Sequence, residues 1–230
     1  MRRPPIGAPR PGSTGDAGAS PSLPVPSLPP LGPAIHRVGR DGFALVPGAL
    51  SASWRQRMLR EVAGEPFWTM PETVGRTRQR AQQLIVHGND DARPVTSAVS
   101  GALADAVRQA APPDAGLARF APSHAMYLRY SGAEDGMGPH RDAMTYVLLV
   151  GVLTLRGAAR FSVLSGPGRD PEASWTTAPG DLCLLRAPGF AGAPDGRPWH
   201  CVDGPDGEER VAVVFRMTGR SPAAGGTARS

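Results

Sequence analysis

The sequence has no lysine, only two cysteines and 6% aromatic residues, and these shortages exclude several classes of protein. Cys183 and Cys201 are too few for a disulfide framework, so we expect a reducing, cytoplasmic setting. Apolar runs such as residues 146–152 are far shorter than the roughly 20 residues needed to span a bilayer. No apolar segment follows the arginines at the start, as a secretory signal would require. We therefore expect no membrane association.

The basic residues are all arginines, and most of the net charge of +5 lies at the two ends of the chain. Residues 1–35 and 217–230 each carry +2, which leaves +1 for the middle. A nucleic-acid footprint requires positive charge clustered on one face of the folded domain. The charge pattern therefore disfavours a nucleic acid as the partner.

Glycine and proline are abundant, at 29 and 26 residues, and they favour turn-rich β architecture over a helical bundle. Residues 1–35 hold ten prolines and five glycines and cannot bury enough apolar surface to offset the entropy of ordering them. We predict that residues 1–35 and 219–230 are disordered tails. One folded domain is then expected over residues 36–218.

Helical patterns come first in this domain and strands follow. A capping box at Ser53 and Gln56 predicts a helix to about residue 63, and apolar residues at helical spacing predict another over 95–111. Further strands are expected at 42–46 and 82–87. From residue 124 the apolar period becomes two, which predicts strands at 124–130, 144–155, 159–164, 174–177, 181–186 and 209–217. The order indicates an α+β protein whose core is an antiparallel sandwich or barrel, with a jelly roll as the leading architecture.

Three residues are candidate metal ligands: His140, Asp142 and His200. His140 and Asp142 are two positions apart, so on an extended chain both side chains lie on the same face. A β-sandwich can return the chain to that site at His200. Two imidazoles and one carboxylate on one octahedral face leave three positions open, which suits non-haem Fe(II) with a chelating co-substrate and dioxygen.

The strand at residues 210–216 has two different faces. Val211, Val213 and Phe215 form a core face, whereas the opposite face carries Arg210 and Arg216 with only small or apolar residues between them. A buried arginine is unfavourable unless it meets an anion. A dicarboxylate ligand would satisfy that need because guanidinium binds carboxylate through two parallel hydrogen bonds. The alternative is that both arginines lie on a solvated face.

Several motifs together resemble the Fe(II)/2-oxoglutarate-dependent dioxygenases, in the alkylated-base demethylase-like or prolyl-hydroxylase-like branch. The resemblance covers about residues 124–218 and follows the family's order. It rests on Tyr-Leu-Arg-Tyr at 127–130, Gly-Pro-His-Arg-Asp at 138–142, Pro-Gly-Asp-Leu-Cys-Leu-Leu at 179–185, Trp-His at 199–200 and the run 210–216.

The resemblance implies a double-stranded β-helix, which is a jelly-roll core, with N-terminal helices packed against it. It implies that His140, Asp142 and His200 bind Fe(II), and that 2-oxoglutarate and O2 are consumed. The carboxylate at position 142 favours hydroxylation, because halogenating relatives have a small residue there to admit chloride.

The resemblance also assigns the co-substrate contacts. Arg210 would hold the distal carboxylate of 2-oxoglutarate, Tyr130 would donate its hydroxyl to the same carboxylate, and Arg216 would lie near the keto-acid end or the metal. Two positions depart from the demethylase pattern: Ala212, where Ser, Thr or Asn is usual, and Leu128, where Asn is usual. Co-substrate contacts are therefore expected to differ, and a nucleobase substrate is disfavoured.

We accordingly expect an oxygenase that hydroxylates a small-molecule or amino-acid-like substrate and releases succinate and CO2. The alternatives are a nucleic-acid demethylase of the same chemistry and a jelly-roll module that binds a metal or ligand without turnover. His36, His87 and His124 are expected to be structural and Cys201 to be a small apolar residue. The segment 66–93, with Trp68 and Arg76, is either a substrate lid or a surface loop.

Overall fold

A computed structural model describes residues 24–88, 90–113 and 115–219, which form helices followed by a series of strands. The helices are α1 Gly32–Asp41, α2 Ala52–Glu61 and α3 Pro94–Ala110, with short 3-10 turns at Leu117–Arg119 and Phe190–Gly192. The strands are β1 Phe43–Val46, β2 Trp68–Thr69, β3 Thr73–Val74, β4 Thr77–Arg80, β5 Gln82–His87, β6 His124–Tyr130, β7 Gly136–His140, β8 Tyr146–Arg156, β9 Ala159–Leu164, β10 Pro171–Thr177, β11 Leu182–Arg186, β12 Trp199–Val202 and β13 Arg210–Thr218.

The folded unit begins earlier than the predicted boundary at residue 36. Leu31 and Ile35 are each 1% exposed, and α1 already starts at Gly32. Pro33 is tolerated in the first turn because the N–H that proline lacks would have no partner there. The helix ends at Gly42, which adopts a left-handed conformation with φ 90°. Residues 1–23 and 220–230 of the predicted tails lie outside the described residues.

The strands pair into two antiparallel sheets. The first has seven strands in the order β1-β11-β8-β13-β6-β5-β2, and the second has six in the order β10-β9-β12-β7-β4-β3. In the first sheet β13 lies between β6 and β8, with Arg210 opposite Tyr130 and Arg216 opposite His124. The predicted α+β class with antiparallel sheets is confirmed.

The two faces of the first sheet bury different cores. Tyr127, Val213 and Leu153 lie on the face that packs against the three helices. Successive side chains of a strand alternate between faces, so Leu128 and Val214 point the other way and join the core that the second sheet helps to form. The space between the sheets therefore receives the alternate face of β13, which is the face that carries the two arginines.

Local sequence patterns predicted eight of the described strands and missed five, namely β2, β3, β4, β7 and β12. The boundaries of β5, β6 and β9 are as predicted. The predicted capping box is wrong, because α2 starts after Ser51 and neither its start nor Ser53 shows a side-chain cap. Among the described helices, none is both long and apolar enough to cross a membrane.

Candidate active site

Strand pairing brings the two candidate histidines together. His140 is the last residue of β7, and the register of the second sheet places it directly opposite His200 of β12. The ring centroids are 4.2 Å apart with the planes at 53°. Phe161 of the neighbouring strand stacks on the other side of His200 at 5.6 Å. The ladder of the sheet thus fixes both imidazoles.

Hydrogen bonds and burial orient these imidazoles as neutral donors of a nitrogen lone pair. His140 Nδ1 lies 3.0 Å from the carbonyl oxygen of Gly138, and His200 Nδ1 lies 3.2 Å from that of Pro198. A carbonyl can only accept, so each Nδ1 carries the proton and each Nε2 is free. Burial lowers the pKa of His140, and burial together with the neighbouring His140 lowers the pKa of His200 to about 4.

Asp142 completes the group from the loop after β7. Its side chain is 7% exposed, and Oδ2 lies 3.7 Å from His200 Nε2, while Oδ1 forms an ion pair with Arg216 Nη2 at 2.7 Å. Burial is the largest single influence and opposes ionisation, but Arg216 and the two neighbouring histidines together outweigh it and lower the pKa of the carboxyl. Since the lowered pKa keeps the imidazole of His200 neutral near pH 7, its approach to Asp142 is not an ion pair.

The donor set fits a divalent metal in its chemistry. Within the described ranges, no group of three or more His, Cys, Asp or Glu side chains is placed so that it could hold a metal ion as it stands. The three side chains nevertheless line one cavity: the rings of His140 and His200 lie 4.2 Å apart, and Asp142 Oδ2 lies 3.7 Å from His200 Nε2. Neutral imidazole and carboxylate are ligands of non-haem Fe(II). These residues therefore fit the group that the sequence predicted.

Arg210 is buried on the same face of β13 without a counter-ion in the described part of the chain. It is 1% exposed; its Nη2 donates to Thr154 Oγ1 at 3.3 Å, and its guanidinium lies 5.4 Å from the ring of Tyr130. Its Nε has no hydrogen-bond partner among the described residues. Burial lowers the pKa of Arg210 and raises that of the Tyr130 phenol. The predicted burial of this arginine is confirmed, and the guanidinium has unused donors.

Arg216, six residues along β13, is buried too but is paired. Besides Asp142 it contacts Met126 Sδ at 3.7 Å and lies over the ring of Tyr146 at 4.7 Å. A cavity of about 30 Å³, enough for about two water molecules, connects the surroundings of Arg216 with those of Arg210. Its lining joins all six predicted site residues with apolar neighbours: Leu128, Tyr130, Met137, His140, Asp142, Val152, Phe161, His200, Val202, Arg210, Ala212, Val214 and Arg216.

Comparisons by sequence with protein-family models and with curated proteins find no match. Comparison with solved structures finds matches over most of the chain. A prolyl hydroxylase in complex with a hypoxia inducible factor oxygen degradation domain peptide fragment, from Trichoplax adhaerens, aligns with a TM-score of 0.59 and 13% identity, over 80% of this chain and 87% of that one. This chain has the fold of the prolyl hydroxylases. A Pseudomonas putida prolyl-4-hydroxylase aligns with a TM-score of 0.58 and 17% identity, over 83% of this chain and 100% of that one. OsALKBH1 aligns with a TM-score of 0.52 and 16% identity, over 76% of this chain and 98% of that one.

The expected resemblance is thus supported at the level of the fold, which this chain shares with the prolyl hydroxylases. Other candidate histidines lie apart from the cluster: His36 is exposed in α1, and His87 pairs with His124 across β5 and β6. Cys201 follows His200 on β12 and so points to the opposite face of its sheet, beside Ser162.

The segment 66–93 is built of short strands at the edge of the site. Strand β4 pairs with β7, and Thr77 Oγ1 donates to the carbonyl oxygen of Pro139, the residue before His140. Trp68 is 69% exposed and Arg76 is also exposed. Adjacency to the site is what a lid requires, and the lid hypothesis stays a prediction.

Sequence reasoning missed Thr154 and Arg197, which contact Arg210 and the backbone of Asp142 respectively. Thr154 interrupts an otherwise apolar strand, and that single polar residue is a signal that could have been used. Arg197 gives no such signal, because it reaches a carbonyl 55 residues away.

Proposed function

We propose that this protein is an Fe(II)- and 2-oxoglutarate-dependent oxygenase that hydroxylates a small-molecule or amino-acid-like substrate and releases succinate and CO2. One observation carries the proposal: His140, Asp142 and His200 line the same cavity as Arg210, whose buried guanidinium has no counter-ion in the described part of the chain. In this proposal the two sheets are the double-stranded β-helix of a single catalytic domain in the cytoplasm.

His140 and His200 would hold Fe(II) through Nε2, and Asp142 through Oδ2. When bound, the iron supplies the dioxygen chemistry in which 2-oxoglutarate is oxidised and decarboxylated to succinate and CO2 while one oxygen atom passes to the substrate. Arg216 keeps the Asp142 carboxylate ionised and occupies Oδ1, which leaves Oδ2 toward the histidines. The carbonyls of Gly138 and Pro198 hold the Nδ1 protons, so both imidazoles meet the metal without first losing a proton.

Arg210 would bind the distal carboxylate of 2-oxoglutarate. Its guanidinium is buried and has free donors, and a carboxylate is the anion that matches its planar fork. Tyr130 lies beside it with a neutral phenol that can donate to the same carboxylate. Val152 and Phe161 line the walls, and these apolar side chains exclude water from the reacting atoms.

Succinate formation tests this proposal. Purified protein supplied with Fe(II), 2-oxoglutarate and O2 is expected to produce succinate slowly even without its substrate, and His140→Ala is expected to abolish this turnover. His87→Ala is the matched control, because it removes a histidine that lies at the end of β5 outside the cluster. Equal traces from the wild type and His140→Ala would refute the enzyme and favour a binding module without turnover.

A nucleic-acid demethylase of the same chemistry is the second candidate. The hairpin β3–β4 next to the site carries Arg76, Arg78 and Arg80, and Trp68 is exposed nearby. Basic and aromatic side chains together can hold a nucleic-acid strand. Addition of methylated single-stranded oligonucleotides distinguishes the two candidates: stimulated succinate formation and loss of the methyl group would support the demethylase.

A further inference from the structure

The three proposed ligands are held in place by different means. His140 and His200 are opposite each other in a β-ladder, whose backbone hydrogen bonds fix both residues. Asp142 lies two residues beyond the end of β7, in a loop that no strand pairing constrains. Something other than the sheet must therefore set the position of its backbone relative to the histidines.

Arg197 makes that connection from the segment before β12. Its Nη1 donates to the carbonyl oxygen of Asp142 at 2.5 Å, and within the described residues no other group donates to this oxygen. The Arg197 side chain is only 11% exposed. Because His200 is three residues further along, the contact joins the loop of Asp142 to the strand of His200.

The guanidinium of Arg197 is itself fixed. Asp195 accepts from Nε and from Nη2, each at 2.8 Å, and the same carboxylate accepts from the Arg197 backbone N–H at 3.1 Å. These bonds raise the pKa of Arg197 and lower that of Asp195. Gly196, between Asp195 and Arg197, is held as well, because its carbonyl oxygen accepts a hydrogen bond from Arg186 Nε at 2.9 Å.

We propose that Arg197 is a positioning residue that clamps the backbone of Asp142 against the segment leading to His200, and so sets the carboxylate for metal binding. This inference rests on the proposed function. A ligand on a free loop must be ordered when the metal binds, and that ordering opposes binding. Groups that orient ligands from behind typically change metal affinity 10- to 100-fold when they are removed.

Arg197→Gln tests the clamp, and Arg141→Gln is its matched control. Arg141 also bonds Asp195, at 3.3 Å, and lies over Trp199, but its side chain has no contact with the Asp142 carbonyl. In the metal-free protein, hydrogen exchange followed by mass spectrometry is expected to be faster over residues 141–146 in Arg197→Gln and unchanged in Arg141→Gln. If Arg197→Gln does not fold, Arg197→Lys takes its place, because lysine keeps the charge but cannot hold Asp195 and the carbonyl together.

Binding of Co²⁺, an air-stable stand-in for Fe(II), gives the second readout. Arg197→Gln is expected to raise the Kd about tenfold and to alter the visible absorption of bound Co²⁺, whereas Arg141→Gln changes the Kd by about twofold or less. Unchanged exchange and Co²⁺ affinity in the Arg197 variant, or equal losses in both variants, overturn the clamp. Failure of the wild type to bind Co²⁺ overturns the proposed function instead. The hydrogen exchange over residues 141–146 still decides whether the clamp exists.

Discussion

Replacement of Arg210 by methionine should stabilise the protein while it destroys the proposed co-substrate site. The guanidinium is 1% exposed, has one long hydrogen bond to Thr154, and leaves Nε without a partner in the described part of the chain. An uncompensated buried charge opposes folding, and burial accordingly lowers the pKa of Arg210. Methionine is unbranched and flexible enough to fill the same channel between the sheets.

The size of the effect is the balance between the buried charge that disappears and the favourable interactions that disappear with it. Substituting apolar side chains for buried charges stabilises proteins by up to about 4 kcal/mol. Against this, the bond to Thr154 contributes about 1 kcal/mol, and the face of Tyr130 about 1 kcal/mol. The net gain is at most about 2 kcal/mol, which for a domain of this size raises Tm by no more than roughly 4 to 8 °C.

Arg216→Met provides the contrast, because it makes the same change on the same face of the same strand. Arg216 and Asp142 form a buried ion pair at 2.7 Å, so this variant leaves an unpaired carboxylate. Removing one partner of such a pair destabilises by about 3 to 5 kcal/mol, less where the carboxyl takes up a proton. The two methionine variants should therefore shift Tm in opposite directions.

Thermal unfolding of the metal-free protein, with and without Mn²⁺ and 2-oxoglutarate, measures both effects. The wild type should gain about 2.7 kcal/mol when 2-oxoglutarate is present at about 100 times its Kd. Arg210→Met should gain nothing from 2-oxoglutarate beyond the effect of the metal. A lower Tm for Arg210→Met together with full stabilisation by 2-oxoglutarate would refute the reasoning, since the guanidinium would then be structural.

Three further predictions concern the scaffold. Glu61 accepts hydrogen bonds from the first backbone N–H groups of α3 at 2.6 and 2.8 Å. Glu61→Gln should therefore lower the free energy of unfolding, measured in urea, by about 1 kcal/mol. Glu65→Gln, which breaks an ion pair with Arg93, should lower it by less. Gly157→Ala should lower the free energy of unfolding by about 1 to 3 kcal/mol, because φ is +66° and the new Cβ would lie 2.6 Å from a backbone oxygen. Gly168→Ala, at φ +67° with open space around it, should lower the free energy of unfolding by less in the same urea titration. Burial raises the pKa of Cys183 to about 12, so iodoacetamide at about pH 8 should label this residue only in guanidinium. Labelling of Cys183 in the folded protein, found by mass spectrometry of its peptides, would contradict this burial.

Patterns with a strong period could be predicted, and patterns that depend on distant partners could not. Strand β13 could be predicted because Val211, Val213 and Phe215 recur with a period of two. The opposite face favoured burial of Arg210 and Arg216 but left a solvated face as the alternative, and the structure buries both. Strand β7 was missed, because Gly136 and Gly138 weaken its β-propensity and its pairing depends on β12 and β4.

The same distinction separates the ligands from the residues that support them. His140 and Asp142 could be grouped from their spacing, because residues two positions apart on an extended chain lie on the same face. Their relation to His200 needed the register of two short strands, which no local period encodes. Arg197 could not be found at all, because its function lies in one contact to a backbone atom, and every residue offers the same atom.

The two buried arginines of β13 point to where an anion enters. The space between the sheets is apolar, with Val152, Val214 and Phe161 in its walls, and a charge there needs a counter-charge. Arg216 has a built-in one in Asp142, while Arg210, at the other end of the same face, has none among the described residues. If the arginines served only the fold, both should be paired. This asymmetry supports the proposal that a ligand brings the missing charge, with its anionic group at Arg210 and its other end toward the histidines.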